Sequence, residues 1–291
     1  MSEELRPLLF SIAYRMVGGV SDAEDIVQEA LVRYQGTLEK GTMVESPKAY
    51  LSTVVTRLSI DHLRSARVRR ESYVGPWLPE PLLTDPAPGP SDHAELTDSL
   101  SLAFLVLLES LSPVERAVFL LREVFGYPYE DVALVVDRSE DNCRQLASRA
   151  RRQLDARRPR FEVSRRRREE LTERFVQACR TGDTEGLVAM LAADAIGYTD
   201  GGGKALAARR PIYGADRVAR FLVGIARPER SPEGYELRAV EVNGQPGRLL
   251  LDSRGKLTGV ISLDIADDVI QAVRIVVNPE KLRHLSRSLE A

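Results

Sequence analysis

Apolar residues recur every third or fourth position through the first seventy residues, the spacing of amphipathic helices. Leu5, Leu8, Leu9, Ile12, Ala13, Met16 and Val17 share one face of a first helix that stops at Gly18-Gly19. Ser21 or Asp22 can cap a second helix, whose buried stripe is Ala23, Ile26, Val27, Ala30, Leu31 and Tyr34. Asp22, Asp25, Gln28 and Glu29 then face outward. A polar loop from Gly36 to Ser46 leads to Pro47, which opens a third helix through Leu51, Val54, Val55, Leu58 and Leu63.

Between Tyr73 and Asp92 the periodicity is lost. Six of the chain's 16 prolines fall here, which predicts a semi-extended linker at a domain boundary. Its Trp77 needs a surface to cover it, since a large aromatic in an extended segment is otherwise left in water. Helical spacing resumes with Phe104, Leu105, Leu107, Leu108 and Leu111. Ser112-Pro113-Val114-Glu115 is a capping box opening a helix that ends at Gly126. A short helix from Pro128 to Val136, a turn at Asp137-Arg138 and a longer helix capped by Ser139 and reaching about Leu154 make a helix-turn-helix. Val132, Val135, Val136, Cys143, Leu146, Ala147, Ala150 and Leu154 pack its helices together. Arg144, Gln145, Ser148, Arg149 and Arg152 project outward, where they can reach base edges or phosphates.

Beyond Arg168 the pattern changes again. Helices over about Glu169–Arg180 and Thr184–Leu191 meet at Gly182-Asp183. Strand-like runs follow at Ala195–Thr199, Ala205–Ile212, Tyr235–Val242, Arg248–Leu251, Leu257–Ile265 and Ile270–Val277, with a helix near Ala215–Ile225 among them. Asn243-Gly244, Asp252–Gly255 and Asp267-Asp268 supply hairpin-turn chemistry. The expectation is an α+β domain of helices on an antiparallel sheet.

Composition narrows the class. Of the residues, 43% are hydrophobic and 29% charged, as in a globular chain, and no apolar run is long enough to span a bilayer. The acidic start does not read as a signal peptide, so a cytoplasmic location is expected. Net charge is only -2, but the basic residues are clustered. Eleven arginines lie between Arg144 and Arg168, and Arg64, Arg67, Arg69 and Arg70 form a second group, as contact with a polyanion at two places requires. Cys143 and Cys179 each sit on an apolar helix face, which favours buried thiols over a disulfide or a metal site. A phosphate loop ending at Gly203-Lys204 is excluded, because Tyr198 and Ala205 stand where that pattern needs Gly and Ser or Thr.

Several motifs in order carry a resemblance. Asp22-Ala-Glu-Asp-Ile-Val-Gln-Glu-Ala-Leu31, the stretch from Pro47-Lys-Ala-Tyr-Leu51 to Asp61-His-Leu-Arg64, Leu111-Ser-Pro-Val-Glu-Arg116, Tyr129-Glu-Asp-Val-Ala133 and Arg138 to Arg151 resemble a group IV, or extracytoplasmic function, RNA polymerase sigma factor. Trp77-Leu-Pro-Glu-Pro-Leu82, Asp200-Gly-Gly-Gly-Lys204 and Asn278-Pro-Glu-Lys-Leu282 resemble the SigJ-like group, which carries a fused C-terminal SnoaL-like (NTF2-like) domain. The departure at Asp137, where relatives often have glycine, is mild, because aspartate tolerates the left-handed conformation.

The resemblance implies a multidomain fold: two all-α sigma domains followed by an α+β NTF2-like cone. The expected limits are a sigma2 domain at 1–72, a Pro-rich linker at 73–100, a sigma4 helix-turn-helix domain at 101–158, a basic linker at 159–168 and a regulatory domain at 169–291. It implies a non-enzymatic factor without cofactor or metal, whose partners are core polymerase (β′ clamp and β flap) and promoter DNA. A small apolar ligand in the C-terminal domain fits the resemblance. A membrane or a dedicated anti-sigma partner is not expected. Asp25, Gln28 and Glu29 would dock on polymerase. His62, Arg64, Arg67 and Arg69 would hold the −10 element, with the Thr37–Ser46 loop taking a flipped base. Arg144, Gln145, Ser148, Arg149 and Arg152 would read the −35 element. Trp77, Leu78, Pro79, Glu80 and Pro81 would dock against the loop Asp200, Gly201, Gly202, Gly203 and Lys204, with Asn278 and Pro279 beside it, as the regulatory contact. Two rivals are a ligand-responsive repressor that works without polymerase and an NTF2-like enzyme fused to a DNA-binding module. The first leaves the three opening helices without a purpose. The second would have to draw its acid or base from Asp194, Asp200 or Asp264, because none of His62, His93 and His284 lies on a predicted cup strand.

Overall fold

The computed structural model describes residues 2–71, 73–84, 99–156, 163–226 and 235–290; the side chains of 2–3, 66–71 and 290 lie outside what is described. The chain divides into two compact units.

The first unit opens with α1 (Ser2–Val17), α2 (Val20–Glu39) and α3 (Pro47–Glu71). Their expected stripes form its core: Leu9, Ile12 and Ala13 from α1, Ala23 and Val27 from α2, and Leu51 and Val55 from α3 are at most 1% exposed. Neither Ser21 nor Asp22 caps α2. Gly19 holds the extended N-cap position, and a side chain there would meet Asp22 Oδ2 at 2.7 Å. The carboxylate of Asp22 sits in the first turn instead, where the helix dipole favours a negative charge. The loop expected from Gly36 is also shorter, because α2 continues to Glu39; Thr37 Oγ1 bonds Arg33 O and lies 2.9 Å from Tyr50 Oη.

The same unit continues through α4 (Leu102–Leu108), α5 (Pro113–Phe119), α6 (Tyr129–Val136) and α7 (Glu140–Asp155). Ser112 and Glu115 close the capping box that starts α5. That helix does not run uniformly to Gly126. It widens into one π turn over Leu120–Val124, whose Phe125 N–H reaches Leu120 O. Asp137 ends α6 in the left-handed region (φ 53), and the Ser139 hydroxyl accepts from Asn142 N to start α7. Polar contacts bind these helices to the first three. Arg57 on α3 donates to Val135 O (2.9 Å) and Leu134 O (2.8 Å), the open carbonyls at the end of α6. Buried Arg116 donates to Met16 O (2.6 Å) and pairs with Glu109 (2.9 Å). Burial lowers the Arg116 guanidinium to about 9, still charged at neutral pH.

The second unit is α+β. Helices α8 (Arg165–Thr181), α9 (Thr184–Met190) and α10 (Ala215–Ala226) pack on a six-stranded sheet. Its strands are β1 (Leu191–Asp200), β2 (Ile212–Tyr213), β3 (Glu236–Val242), β4 (Gln245–Leu251), β5 (Leu257–Ala266) and β6 (Val269–Val276), in the order β2-β1-β6-β5-β4-β3. The sheet is mixed where an antiparallel one was expected, because β1 pairs β6 in parallel. The run Ala205–Ile212 is not a strand: only Ile212 and Tyr213 pair with β1, and Leu206 points into solvent at 89% exposure. Thr199 Oγ1 accepts from Ala208 N (2.7 Å) and holds that segment as a loop. Phe175, Leu187, Val218 and Leu222 cover the sheet face that presents Leu263, Val273 and Ile275. Strand alternation sends Tyr198, Asp264 and Arg274 to the opposite face, where Arg274 pairs with Asp264 and lies over the Tyr198 ring. Helix α11 (Arg283–Glu290) follows the sheet.

Helix α8 begins at Arg165, inside the stretch read as a basic linker. Its arginines are anchors of the α+β unit: Arg165 pairs with Glu241 (2.6 Å), Arg167 with Asp268 (2.9 Å), and Arg168 bonds Gln245.

Candidate nucleic-acid interface and a docked linker

The helix-turn-helix buries Val132, Cys143, Ala147, Ala150 and Leu154 between its helices, each at most 2% exposed, while Leu146 is half-buried. The opposite side of α7 carries Arg144, Gln145, Ser148, Arg149 and Arg152, all exposed and all lining one open groove. The five residues expected to project outward thus share one surface. Acids engage two of its cations, and a third acid takes an arginine beside it: Glu140 takes both Arg144 Nη1 (3.0 Å) and Nη2 (2.9 Å), Glu115 lies 3.5 Å from Arg149, and Glu123 pairs with Arg151, outside the groove set. The Glu140–Arg144 pair is exposed on both sides and contributes at most about 1 kcal/mol, so a phosphate can displace that acid.

Asp25, Gln28 and Glu29, the set expected to face polymerase, are exposed along α2, and Glu29 bonds Arg33 (2.8 Å). On α3, His62 Nε2 lies 3.4 Å from Asp22 Oδ2, and Arg64 pairs with Asp61 at 3.2 Å. Arg67 and Arg69 are on α3, but their side chains lie outside the described residues. The loop that follows Glu39 presents Met43 at 87% exposure.

Residues 73–84 run along the α+β unit. Leu78, 1% exposed, donates its N–H to Asp200 Oδ2 (2.8 Å), and its carbonyl accepts from Lys281 Nζ. Lys281 also lies 2.7 Å from Asp200 Oδ2 and 4.3 Å from the Trp77 ring centroid. Tyr73 Oη donates to Asp200 Oδ1 and accepts from Asn278 Nδ2 (2.9 Å). Burial and the Asp200 carboxylate both push the Tyr73 phenol well above its usual range. Pro79 and Pro81 are buried; Pro81 O lies 2.8 Å from His284 Nε2, and Glu80 is 3.9 Å from the same ring. Farther along, Leu82 N donates to Asn243 Oδ1 (2.9 Å), and Leu83 bridges Val242 at the β3 edge.

The glycine turn works by close approach. Gly202 has φ 57, and a side chain there would lie 2.2 Å from Asn278 Nδ2 and 3.0 Å from Tyr73 Oη. Gly203, φ 72, packs against Val74, and a side chain on Gly201 would meet Ala205 O at 2.5 Å. Lys204 pairs with Glu280, which lowers that carboxyl, and Pro279 is exposed. The sequence thus pointed to Asp200 and Asn278 but missed Tyr73, Asn243, Lys281 and His284. Lys281 alone had a signal, since it lies within the quoted Asn278–Leu282 motif.

Comparison with known proteins fits this geometry. The family model described as Sigma-70 region 2 matches residues 1–69, and that described as Sigma-70, region 4 matches residues 101–154. The chain is 36% identical over 287 residues to the ECF RNA polymerase sigma factor SigJ of Mycobacterium tuberculosis, covering 96% of this chain and 91% of the relative. It is 34% identical over 290 residues to the probable ECF RNA polymerase sigma factor SigI of the same species, covering 98% and 94%. The crystal structure of Mycobacterium tuberculosis SigJ superposes with a TM-score of 0.74 at 32% identity, covering 97% of this chain and 96% of that one. Both helical regions and the α+β unit are thus matched together, and the chain belongs to the extracytoplasmic function family of RNA polymerase sigma factors.

Proposed function

We propose that this sigma factor reads the −35 element with Arg144, Gln145, Ser148, Arg149 and Arg152 and the −10 element with α3, from His62 and Arg64 through Arg67 and Arg69. Asp25, Gln28 and Glu29 serve as the acidic face toward the polymerase clamp. The α+β unit modulates activity by holding the Trp77–Leu82 segment, and this built-in restraint makes a separate anti-sigma partner unnecessary.

One observation supports the modulation above others: the buried Asp200 carboxylate gathers donors from Tyr73, Leu78 and Lys281 at once. A segment held by its backbone to a buried ion pair has its path fixed, and the reach of the DNA-reading helices depends on that path. The test is run-off transcription with core polymerase from a promoter selected for this factor. Full-length protein is compared with a chain ending near Arg168 and with full-length Asp200→Ala. Core-dependent initiation that changes by several-fold in both variants is the expected result. If none of the three initiates, the polymerase assignment fails; if all three initiate equally, the modulation fails.

A further inference from the structure

Tyr129 has no part in the reading given above. It occupies the first turn of α6, directly after Pro128, whose fixed φ of -65 aims the chain into the helix. Two guanidiniums lie over its ring: Arg122 from the π turn and Arg144 from α7, each with Cζ 4.9 Å from the centroid. Arg122 is itself held by a bond from Nη1 to Tyr127 O (3.1 Å). Arg144 is the member of the groove set nearest the N-terminal end of α7, the end that enters the major groove in helix-turn-helix docking.

We propose that Tyr129 is a positioning residue for −35 reading, holding the Arg144 guanidinium by its flat face so that its hydrogen-bonding edge is set toward the bases. The inference rests on the assignment of Arg144 to that element. The chemistry separates two surfaces of one group. The ring quadrupole attracts the face of the guanidinium, whereas a guanine or a phosphate is bound by its N–H edge. Glu140 occupies that edge in the free protein, taking both Nη atoms through one carboxylate oxygen. DNA therefore displaces Glu140 without displacing Tyr129. An arginine already held over a ring loses less rotamer freedom when it forms a bidentate contact, and its geometry favours the matched base over others.

The test measures binding of polymerase holoenzyme to duplexes with the matched −35 element, with single-base changes in it, and with unrelated sequence, across a salt series. The variants are Tyr129→Leu, Tyr129→Phe, Arg144→Ala and the Tyr129→Leu/Arg144→Ala double. Tyr129→Leu is expected to reduce discrimination between matched and changed elements about three- to tenfold, with affinity for unrelated DNA and the salt slope unchanged. A helix-turn-helix that had merely unfolded would lose all three. Tyr129→Phe, which keeps the ring, restores discrimination, and the double variant is no worse than Arg144→Ala. Losses that multiply in the double variant, or full discrimination in Tyr129→Leu while Arg144→Ala loses it, overturn the positioning role alone. Full discrimination in Arg144→Ala overturns the −35 assignment of that residue and the inference with it.

Discussion

Lys281 places its Nζ 2.7 Å from Asp200 Oδ2, and both groups are buried. Asp200 closes β1 and Lys281 follows β6 by five residues, and these strands are the parallel pair of an otherwise antiparallel sheet. The ion pair therefore joins the sheet's structural seam to the Trp77–Leu78 segment. A sigma factor catalyses no reaction; it binds core polymerase and promoter DNA, so the purpose of such a pair lies in geometry.

Removing one partner should be costly. Asp200→Ala leaves Lys281 buried without its counter-ion and the Leu78 N–H without an acceptor, for an expected loss of about 3–5 kcal/mol. Urea denaturation monitored on the α+β unit measures it. Trp77 is the sole tryptophan, so its emission reports the docked segment directly and should shift to the red in this variant.

Gly202→Ala tests the turn independently of charge. The added methyl meets Asn278 Nδ2 and Tyr73 Oη, and the left-handed backbone adds its own strain, together about 2–4 kcal/mol. Tyr73 must move, so the Trp77 emission should change in the same direction as in Asp200→Ala. Gly255→Ala has a positive φ but open space around it, and it serves as the control with backbone strain alone.

Much of this was legible where the determinants are local. The capping Ser139, the left-handed Asp137 and the outward set on α7 are fixed by residues within one or two turns of each other, so reading them needs no partner. What escaped depends on distant chain. β1 and β6 are separated in the chain by every other strand of the sheet, and nothing in Leu191–Asp200 announces a parallel neighbour. Alternating small residues made Ala205–Ile212 resemble a strand, yet most of it finds no pairing edge, and Thr199 ties it down as a loop. Tyr129 reads as an ordinary helix-start aromatic until Arg122 and Arg144 are brought over it from two other elements.

Arg57→Ala should weaken the first unit by about 1 kcal/mol, because the two carbonyls ending α6 lose a charged donor and only part of the site is shielded from water. Arg57→Lys should recover less than half, since one ammonium cannot span the Leu134 and Val135 oxygens as the planar guanidinium does. Thermal melts of the three proteins at matched ionic strength decide the point.

The thiols give a pH signature. Burial raises the Cys179 thiol to about 12, so it stays protonated in the folded chain when an exposed thiol has ionised, and burial raises Cys143 as well. Unfolded chains release these protons near pH 9, and the folded state then binds more protons than the unfolded one. Stability must therefore fall as pH rises above about 9, with a slope for Cys179 approaching 1.4 kcal/mol per pH unit, roughly the cost of one differential proton. Cys179→Ala keeps a small side chain against the helix-side core and should flatten that part of the profile, offsetting its packing loss at high pH. The comparison is urea denaturation of both proteins at half-unit steps from pH 7 to pH 10.5. Alkylation supplies the second readout: at pH 8.5 the native protein should label slowly at both cysteines and rapidly only after denaturant is added. Parallel stability profiles for wild type and Cys179→Ala would mean that the thiol is not held protonated by the fold.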